Sequence, residues 1–490
     1  MRMGKRIRHV VLLTALTGLL GAGTASARSD GVPVTYNYSF WGEWVSSPAP
    51  YVPETIVNGS DLGVGPFREP NDLFVTADGD VYVVDSGNNR IVVLDRELRP
   101  TAVIDSFVRE GREDAFRNPQ GIFVTDDGHL LIADTGNGRV VHLDDRLRLV
   151  KLMESPESEL LPAHFEFQPV RVVADRARRV YVLAAGVFDG FMEFNVDGTF
   201  TSFIGANRVR VDPIELFWKR ISTREQRSRM VLFVPTEFTN LDIDDEGFIY
   251  ATNGDRWGET IKKLNAHGND ILRREGYFSP RGDLYFTANS GPSRLVDIDV
   301  AEGEIYSVLD SKRGRIFTYN GDGHLMYVFG GLGNKRGEFH TPVAIERLGD
   351  DFLVLDKGLG ELTRFRATEY GSTLNEAVRS YYRGDEERAV ELFRKAVDMN
   401  ANLDFAYSGI GKALLRQGKY AEAMTYFKLS MDQRNYSKAF QLRRKEVLRE
   451  YLPAVLTAAM AAAAGWLLLR KPVKALIRKT TGRKGAATVE

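Results

Sequence analysis

The chain has 490 residues, which is too long for one ordinary hydrophobic core, so two or more domains are expected. Its 65 Lys and Arg residues balance 66 Asp and Glu residues, and this near-neutral charge gives no overall attraction to nucleic acid. The chain contains no cysteine, which excludes disulfide bonds, thiol nucleophiles and thiolate metal sites.

Residues 1–27 have the organisation of a secretory signal. Four basic residues lie at the start, Val10–Leu20 is apolar, and Ala25-Ser-Ala27 supplies the small residues of a cleavage site. We predict that the chain is exported and that the signal is cut after Ala27. The alternative is an uncleaved anchor helix, although the apolar run is short for a membrane span.

The stretch Phe67–Leu94 is repeated 49 residues later, at Phe116–Leu143. Both copies contain a proline, two apolar runs separated by Asp-Gly, and a segment of the form Asp-x-Gly-Asn-x-Arg. Short apolar runs separated by such turns predict short strands joined by hairpins. Strand-rich units at a period of about 40–50 residues predict the blades of a β-propeller.

Four weaker copies follow, and they begin near Phe167, Pro235, Leu295 and Phe339. The last copy ends at Phe365 and lacks its outermost strand. We therefore predict that Tyr36–Gly42 completes blade six, so that residues 34–42 close a propeller spanning residues 34–366 and remove its exposed edges. Six blades are the main interpretation. Seven is the alternative, because Leu272–Ser290 has room for further strands.

The pattern Pro-x-Gly-Ile-x-Val, Asp-Gly, an aliphatic run and Asp-x-Gly-Asn-x-Arg resembles the NHL repeat family, and Pro119–Arg139 and Pro70–Arg90 carry it best. The resemblance implies a six-bladed propeller, which in that family is mostly a binding platform for proteins, nucleic acid or glycans. A minority of relatives and look-alikes are metal-dependent lyases or lactonases.

The polar residues of the repeat suit turn geometry better than a binding site. They are Asp85, Gly87 and Arg90 in one copy and Asp134, Gly136 and Arg139 in the other. The carboxylate accepts backbone N–H groups, Gly takes a positive φ, and Arg links neighbouring blades. We therefore predict a structural role for them.

Propeller ligands usually bind at the mouth of the central channel, where the innermost strands begin. Aligning the blades places at that mouth Asp72, Gly121, Arg171, Asn240, Arg294 (or Leu295) and Ala344. The candidate binding residues are Asp72, Arg171, Asn240 and Arg294. This mixture suits a polar or acidic ligand better than calcium, which needs several convergent carboxylates, or zinc, which needs two or three convergent histidines. We expect no metal, no cofactor and no catalytic residue.

The insertion 207–233, between blades three and four, is longer than a normal loop and has an apolar helical face. One interpretation is a helix that packs on the propeller with a solvated basic side. The other is a helix that docks a partner or anionic lipid. For the second interpretation the candidate residues are Trp218, Arg220, Arg224 and Arg227.

Beyond Phe365 the apolar period changes from 2 to about 3.6 residues, which predicts helices. Ala389-x3-Phe393-x2-Ala396 recurs 34 residues later as Ala423-x3-Phe427-x2-Ser430. These residues resemble the tetratricopeptide repeat. The resemblance implies helical hairpins over residues 370–450, with Ser437–Glu450 as a capping helix. Any peptide groove would lie on the concave face, which would include Asn375, Arg379, Lys412 and Arg416.

Residues 452–469 contain no charge and are just long enough to cross a bilayer as a helix, with Pro453 in the first turn. The basic tail, residues 470–490, follows. Because basic residues also precede the span, the predicted signal decides the orientation, with a large outside domain and a cytoplasmic tail. Small residues form one stripe along the span and permit close helix packing; they are Ala454, Ala458, Ala462 and Gly465.

We predict a multidomain protein of a bacterial-type cell surface: a six-bladed all-β propeller, tetratricopeptide-like hairpins and a single transmembrane helix. Its expected role is a non-catalytic scaffold that binds protein, peptide or glycan outside the cell and integral membrane proteins at the membrane. It would serve as an accessory subunit of a transport or secretion complex. The alternative is a membrane-tethered metal-dependent lactonase or lyase with its site around Asp72 and Asn240.

Overall fold

The computed structural model describes residues 35–161, 165–207, 221–223, 236–255, 258–286 and 291–481. The predicted signal, residues 1–27, lies outside the described residues. So do Trp218, Arg220, Arg224 and Arg227 of the insertion.

The strands come first in the chain and are short, as the apolar runs predict. They are β1 (Tyr36–Tyr38), β2 (Trp44–Ser46), β3 (Tyr51–Asn58), β4 (Asp72–Val75), β5 (Val81–Asp85), β6 (Arg90–Leu94), β7 (Pro100–Ile104), β8 (Ser106–Arg109), β9 (Arg112–Ala115), β10 (Gly121–Val124), β11 (Leu130–Asp134), β12 (Arg139–Leu143), β13 (Leu149–Met153), β14 (Pro169–Ala174), β15 (Val180–Ala184), β16 (Gly190–Phe194), β17 (Phe200–Gly205), β18 (Phe238–Ile243), β19 (Ile249–Asn253), β20 (Ile261–Leu264), β21 (Leu295–Ala301), β22 (Ile305–Asp310), β23 (Arg315–Tyr319), β24 (Leu325–Phe329), β25 (Pro342–Leu348), β26 (Asp351–Asp356) and β27 (Glu361–Ala367).

In the described residues these strands form the six antiparallel sheets of a propeller and one separate two-stranded hairpin, β8 with β9. Blade one is β4–β7, blade two β10–β13, blade three β14–β17 and blade four β18–β20. Blade five is β21–β24 extended by β1 and β2, and blade six is β25–β27 with β3 outermost. Each innermost strand contacts that of the next blade, and β25 contacts β4, which closes the ring. The prediction of six blades is confirmed.

The segment that closes the ring differs from the one predicted. Tyr51–Asn58 pairs with Glu361–Ala367 along its whole length and completes blade six. Tyr36–Tyr38 instead pairs with β24 and widens blade five. The physical reason is burial, because Tyr51 stacks on Phe329 with ring centroids 4.8 Å apart and is 1% exposed. In addition, β3 pairs with seven residues of β27, whereas the three-residue β1 buries Tyr36 and Tyr38 in the core of blade five.

The polar residues of the repeat have the predicted structural role. Asp85 accepts the backbone N–H of Arg68 at 2.7 Å through Oδ1 and Nε of Arg90 at 2.7 Å through Oδ2. Asp134 does the same in blade two. Gly87 is required for close approach and not for a positive φ, because a Cβ there would lie 2.6 Å from the carbonyl oxygen of Arg68. The left-handed residue of this turn is Asn89, with φ 55°.

The helices follow the propeller. They are α1 (Glu369–Arg383), α2 (Glu386–Met399), α3 (Asp404–Arg416), α4 (Tyr420–Leu429) and α5 (Gln433–Thr481). The Thr368 side chain caps the N-terminus of α1, and Gly384, with φ 83°, ends that helix in the left-handed region. Successive helices pack on one another from α1 to α5.

The helices share one hydrophobic core with blades five and six. This core contains Tyr327 and Phe352 of the propeller together with Leu374 and Phe405 of the helices. The helical side chains of this core therefore pack against the propeller. Lys412, which was predicted to line a groove, donates to Asp322 at 2.7 Å. Asn375 is buried against the propeller as well, so these two predicted groove residues are not open to a peptide, whereas Arg416 is exposed.

The predicted capping helix and the predicted span are one continuous helix, α5. Pro453 consequently lies inside α5 and not in a first turn. The residues from Arg443 to Ala464 are all exposed. One segment of this helix is long and apolar enough to cross a membrane, by length and composition alone.

Candidate functional site

The innermost strand of each blade brings one equivalent side chain to the central channel. In blade one this residue is Asp72, which pairs with Val84, the residue before Asp85. The same register in the other blades completes a ring of Asp72, Gly121, Arg171, Asn240, Asp297 and Ala344. Asp72, Arg171 and Asn240 therefore lie in one ring, as the alignment of the blades predicts.

Arg294 does not belong to this ring. Its side chain is exposed, and its backbone N–H donates to Oδ1 of Asp310 at 2.9 Å. The equivalent residue is Asp297, because Leu295 occupies the position that proline fills in four other blades and a register shift follows it. Counting two residues beyond the proline position would have identified Asp297 from the sequence.

Arg171 spans the channel wall. From blade three, its Nη2 donates to the carbonyl oxygen of Asn71 in blade one at 2.9 Å, and its Nη1 donates to the carbonyl oxygen of Gln120. Its Nε lies 3.5 Å from Oδ1 of Asp72. Burial raises the pKa of Asp72, and the guanidinium of Arg171 opposes that rise. The guanidinium is thus used to hold three blades together.

The side-chain amide of Asn240, like the guanidinium of Arg171, is engaged in hydrogen bonds between blades. Its Nδ2 donates to the carbonyl oxygen of Val296 at 3.2 Å and to Oδ1 of Asp297, both in blade five. Its Oδ1 accepts the N–H of Leu241 at 2.6 Å. The side chain is 2% exposed, so its amide joins blades four and five and offers little surface to a ligand.

The channel carboxylates accept backbone N–H groups from the next blade. Asp72 accepts from Ile122 at 2.9 Å, and Asp297 accepts from Ile345 at 2.5 Å. Two residues beyond Asn240 on β18, the carboxylate of Asp242 accepts the backbone N–H of Val300 at 2.8 Å. Inner strands do not pair with one another as sheet neighbours, so their edge N–H groups need such acceptors. The acidic residues of the channel therefore act as links between blades.

Glu346 differs from these links. It alternates with Ala344 on β25, is partly exposed, and has no hydrogen-bond donor or ion-pair partner among the described residues. Burial raises its pKa well above the usual value, and repulsion from Asp299 and Asp242 raises it further. Burial, followed by repulsion from Asp299, raises the pKa of Asp242 to about 8. Both shifts favour the protonated form of these carboxyl groups.

Metal-ligating side chains do not converge in the part of the chain that the structure describes: no group of three or more His, Asp or Glu residues is arranged to hold a metal ion there. Two histidines of blade two do lie together, with Nδ1 of His129 2.9 Å from Nε2 of His142.

An exposed aromatic surface lies away from the channel, and the sequence reasoning missed it. It consists of Phe40, Trp41, Trp44 and Tyr285, whose exposed fractions run from 37% to 74%. The hairpin of β1 and β2 carries three of these residues. Phe40 contacts Tyr277 with ring centroids 5.3 Å apart, and the hydroxyl of Tyr277 donates to the carbonyl oxygen of Ser430 at 2.6 Å. The surface therefore lies where the propeller meets the helices.

The density of aromatic residues in Tyr36–Trp44 was the available signal for this surface. The sequence pattern predicts Tyr36–Gly42 as the outer strand of blade six, whereas Tyr36–Tyr38 is buried beside β24 of blade five and Trp41 is 74% exposed.

The topology and the repeats define the class: the described residues form a six-bladed β-propeller that carries NHL repeats and continues into a helical region with one long apolar helix. The family model described as NHL repeat matches residues 67–94 and 116–143. No curated protein matches the chain.

Solved structures similar to this chain include virginiamycin B lyase from Staphylococcus aureus, at 10% identity over 64% of this chain and 99% of that chain, with a TM-score of 0.40. They also include a streptogramin B lyase, at 13% identity over 70% and 95%, with a TM-score of 0.37. A protein of unknown function from Bacteroides caccae has 11% identity over 56% and 85%, with a TM-score of 0.34. None of these likenesses bears on the chemistry of this chain.

Proposed function

We propose that this protein is a non-catalytic binding scaffold that α5 anchors to a membrane. The observation that carries the proposal is the core shared by blades five and six and the helices, which fixes the propeller to the helix that bears the apolar segment. A platform joined in this way presents its surfaces in one orientation relative to the anchor. That is what a scaffold for membrane partners requires.

The aromatic surface supports a binding role. Trp and Tyr side chains are enriched among the residues that dominate protein interfaces, and contiguous exposed apolar surface marks interaction sites. The channel has fewer polar groups available to a ligand, because Arg171, Asn240 and the channel aspartates already form hydrogen bonds between the blades. We place protein capture at the aromatic surface, and a peptide or glycan is the other ligand class that fits it.

Two close contacts between a glycine and a phenylalanine ring support the tetratricopeptide interpretation of the helical hairpins. A Cβ at Gly411 would lie 2.6 Å from the ring of Phe427, and one at Gly409 would lie 2.8 Å from the ring of Phe393. Small residues facing aromatic plugs are how such hairpins pack. We propose that these helices act as the adaptor between propeller and anchor.

The proposed topology has the propeller outside the cell and the basic tail in the cytoplasm. Export would follow from the predicted signal. Partners would be integral membrane proteins, as in an accessory subunit of a transport or secretion complex, and the small residues Ala454, Ala458 and Gly465 permit close packing in the bilayer. Protease added to intact cells should remove everything up to about residue 450, whereas full protection would contradict this topology.

The scaffold role is tested by a photo-crosslinking amino acid placed at Ala458 of the full chain in native membranes. We expect a crosslinked partner that itself spans the membrane. A chain that crosslinks only to lipid would contradict the proposal.

A second candidate function, catalysis in the channel, is favoured by one observation. Burial raises the pKa of Asp242 to about 8 and raises the pKa of Glu346 well above its usual value, and carboxyl groups of raised pKa can serve as general acids or bases. Metal analysis of the purified chain tests the lactonase or lyase form of this candidate, because stoichiometric calcium or zinc would favour it.

A further inference from the structure

The first part of α5 leaves the body of the protein as an exposed helix. We define residues 433–451 as the stalk. Tyr436 packs against the core shared with the propeller, and Ala439 is 0% exposed, so the stalk is anchored at its start. From Arg443 onward every residue of the stalk is exposed.

One face of the stalk is apolar although nothing in the described part of the chain covers it. Phe440, Val447 and Tyr451 are 48%, 44% and 57% exposed. At about 100° per residue, these three side chains lie within about 40° of one another around the helix. Three exposed large side chains on one line of a helix are typical of a helix that packs against another.

The same face continues into the apolar segment. Counting on from Phe440 at about 100° per residue, Ala454, Ala458 and Gly465 fall within about 40° of the line through Phe440. Large side chains in the stalk thus give way to small ones in the apolar segment, on one uninterrupted face. Small residues in a span let a second helix approach closely, and large apolar residues outside it form an ordinary helix seam.

The charge of the stalk decides what fits this face. The stalk has six basic and two acidic side chains, a net charge of +4. Arg443 and Arg444 flank the apolar line within one turn of Val447. A partner must therefore bring apolar side chains to the seam and carboxylates to its flanks.

We propose that this face of α5, from Phe440 to Gly465, binds a helix of an integral membrane partner whose part outside the bilayer is amphipathic and acidic. The proposal rests on the proposed function and names the partner chemistry that such a scaffold would use.

Two other occupants fit less well. A second copy of this chain in parallel would align six basic side chains with six more, and like charges in a seam oppose association. An anionic lipid surface would require the stalk to lie in the membrane plane. The stalk and the apolar segment are one continuous helix, so the stalk runs away from the bilayer.

The experiment uses the full chain in native membranes, with a photo-crosslinking amino acid replacing Val447 in one variant and Lys445 in a matched variant. Lys445 lies on the side of the helix away from the proposed face. We expect a crosslinked protein from position 447 and little from position 445. The crosslinked segment, identified by mass spectrometry, should be acidic and adjoin a transmembrane helix.

Reversing the charge of the two arginines beside the apolar face gives a second test of the inference. R443E with R444E should reduce the crosslink at position 447 about tenfold, since charge pairs of the seam would become repulsive. The matched variant, K438E with K445E, makes the same change in net charge away from the face and should leave the crosslink unchanged.

A crosslink to a second copy of this chain, to lipid alone, or to a neutral or basic segment would overturn the inference. If position 458 crosslinks a membrane protein while position 447 does not, the inference fails and the scaffold function stands. If neither position crosslinks a protein, the scaffold function fails as well.

Discussion

The hydroxyl of Tyr327, in blade five, donates a 2.7 Å hydrogen bond to Oδ1 of Asn375 in α1. Nδ2 of the same Asn375 donates to the hydroxyl of Tyr51 at 2.9 Å, and Tyr51 begins the strand that closes blade six. All three residues are buried. One amide therefore joins two blades to the helical region, at the point where the ring is sealed.

Replacing Asn375 should destabilise the propeller and the helices together. Asn375→Leu leaves the hydroxyls of Tyr327 and Tyr51 buried without this partner, and each such loss costs about 1–3 kcal/mol. Urea unfolding of the full chain in detergent, followed by tryptophan fluorescence and by helical circular dichroism, measures the change. We expect both signals to shift to lower urea in one common transition.

The matched control for this substitution is Asn402→Leu, at an exposed position. It should change the free energy of unfolding by no more than about 0.5 kcal/mol. Helical unfolding that separates from the fluorescence transition in the Asn375 variant would show that the two regions do not share a cooperative core.

The pair of Arg171 and Asp72 should be important for holding the channel wall together. Arg171→Met removes the guanidinium from a nearly buried carboxylate and from the carbonyl groups of two other blades, and breaking such a pair costs about 3–5 kcal/mol. Adding Asp72→Asn should recover part of the loss, because the unpaired charge is then gone. Thermal unfolding of the single and double variants measures this coupling.

Arg294→Met is the control for the channel pair, because Arg294 is exposed. We expect it to change the unfolding temperature by a degree or two at most. A loss as large as that of the Arg171 variant would place Arg294 in the channel wall after all.

The blade count could be predicted from the sequence because blades one and two repeat the same turn chemistry and weaker copies of the strand pattern follow. Asp85 and Asp134 accept local N–H groups, so the signal for a blade lies within one short segment. The closing strand could not be predicted in this way. Tyr51–Asn58 finds its partner more than 300 residues later, and its choice over Tyr36–Gly42 depends on burial against Phe329, which no local pattern encodes.

The channel residues were predictable where the proline marker is present. Asp72 and Arg171 follow Pro70 and Pro169 by two residues, whereas Leu295 replaces the proline in blade five and hides Asp297. The use of these side chains as links between blades was not predictable, because it depends on distances across the ring. The exposed tip of the β1–β2 hairpin was missed for the same reason, since exposure depends on what the rest of the fold leaves uncovered.

The stability of the propeller should fall as pH rises through neutrality. The folded-state pKa of Glu346 is raised by burial, so between about pH 4.3 and that raised value the folded state binds more protons than the unfolded state. Stability is then fully present below about pH 4.3 and is lost on going upward, at up to about 1.4 kcal/mol per pH unit. Asp242, with a pKa raised to about 8, contributes in the same direction from about pH 4 to 8.

Glu346→Gln keeps the shape of the side chain and removes its titration. It should therefore reduce the slope of the free energy of unfolding against pH between pH 5 and 8, by at most the contribution of one bound proton. Urea unfolding at three or four pH values measures the slope directly. Glu157→Gln, at an exposed position, is the control and should leave the slope as it is. A slope that is equal in the Glu346 variant and the original chain would refute the assignment of this proton to the channel.

A disulfide can test the ring closure without ambiguity, because the chain has no cysteine of its own. Val52 and Arg366 are paired residues of β3 and β27, and paired positions have Cα separations that a disulfide can bridge. V52C with R366C should therefore oxidise within one chain, give the crosslinked peptide by mass spectrometry, and raise the free energy of unfolding by about 2–4 kcal/mol, the range typical of a disulfide. W41C with R366C serves as the control, because it would bond only if Tyr36–Gly42 closed blade six. Oxidation of the control pair in place of the first pair would reverse the assignment of the closing strand.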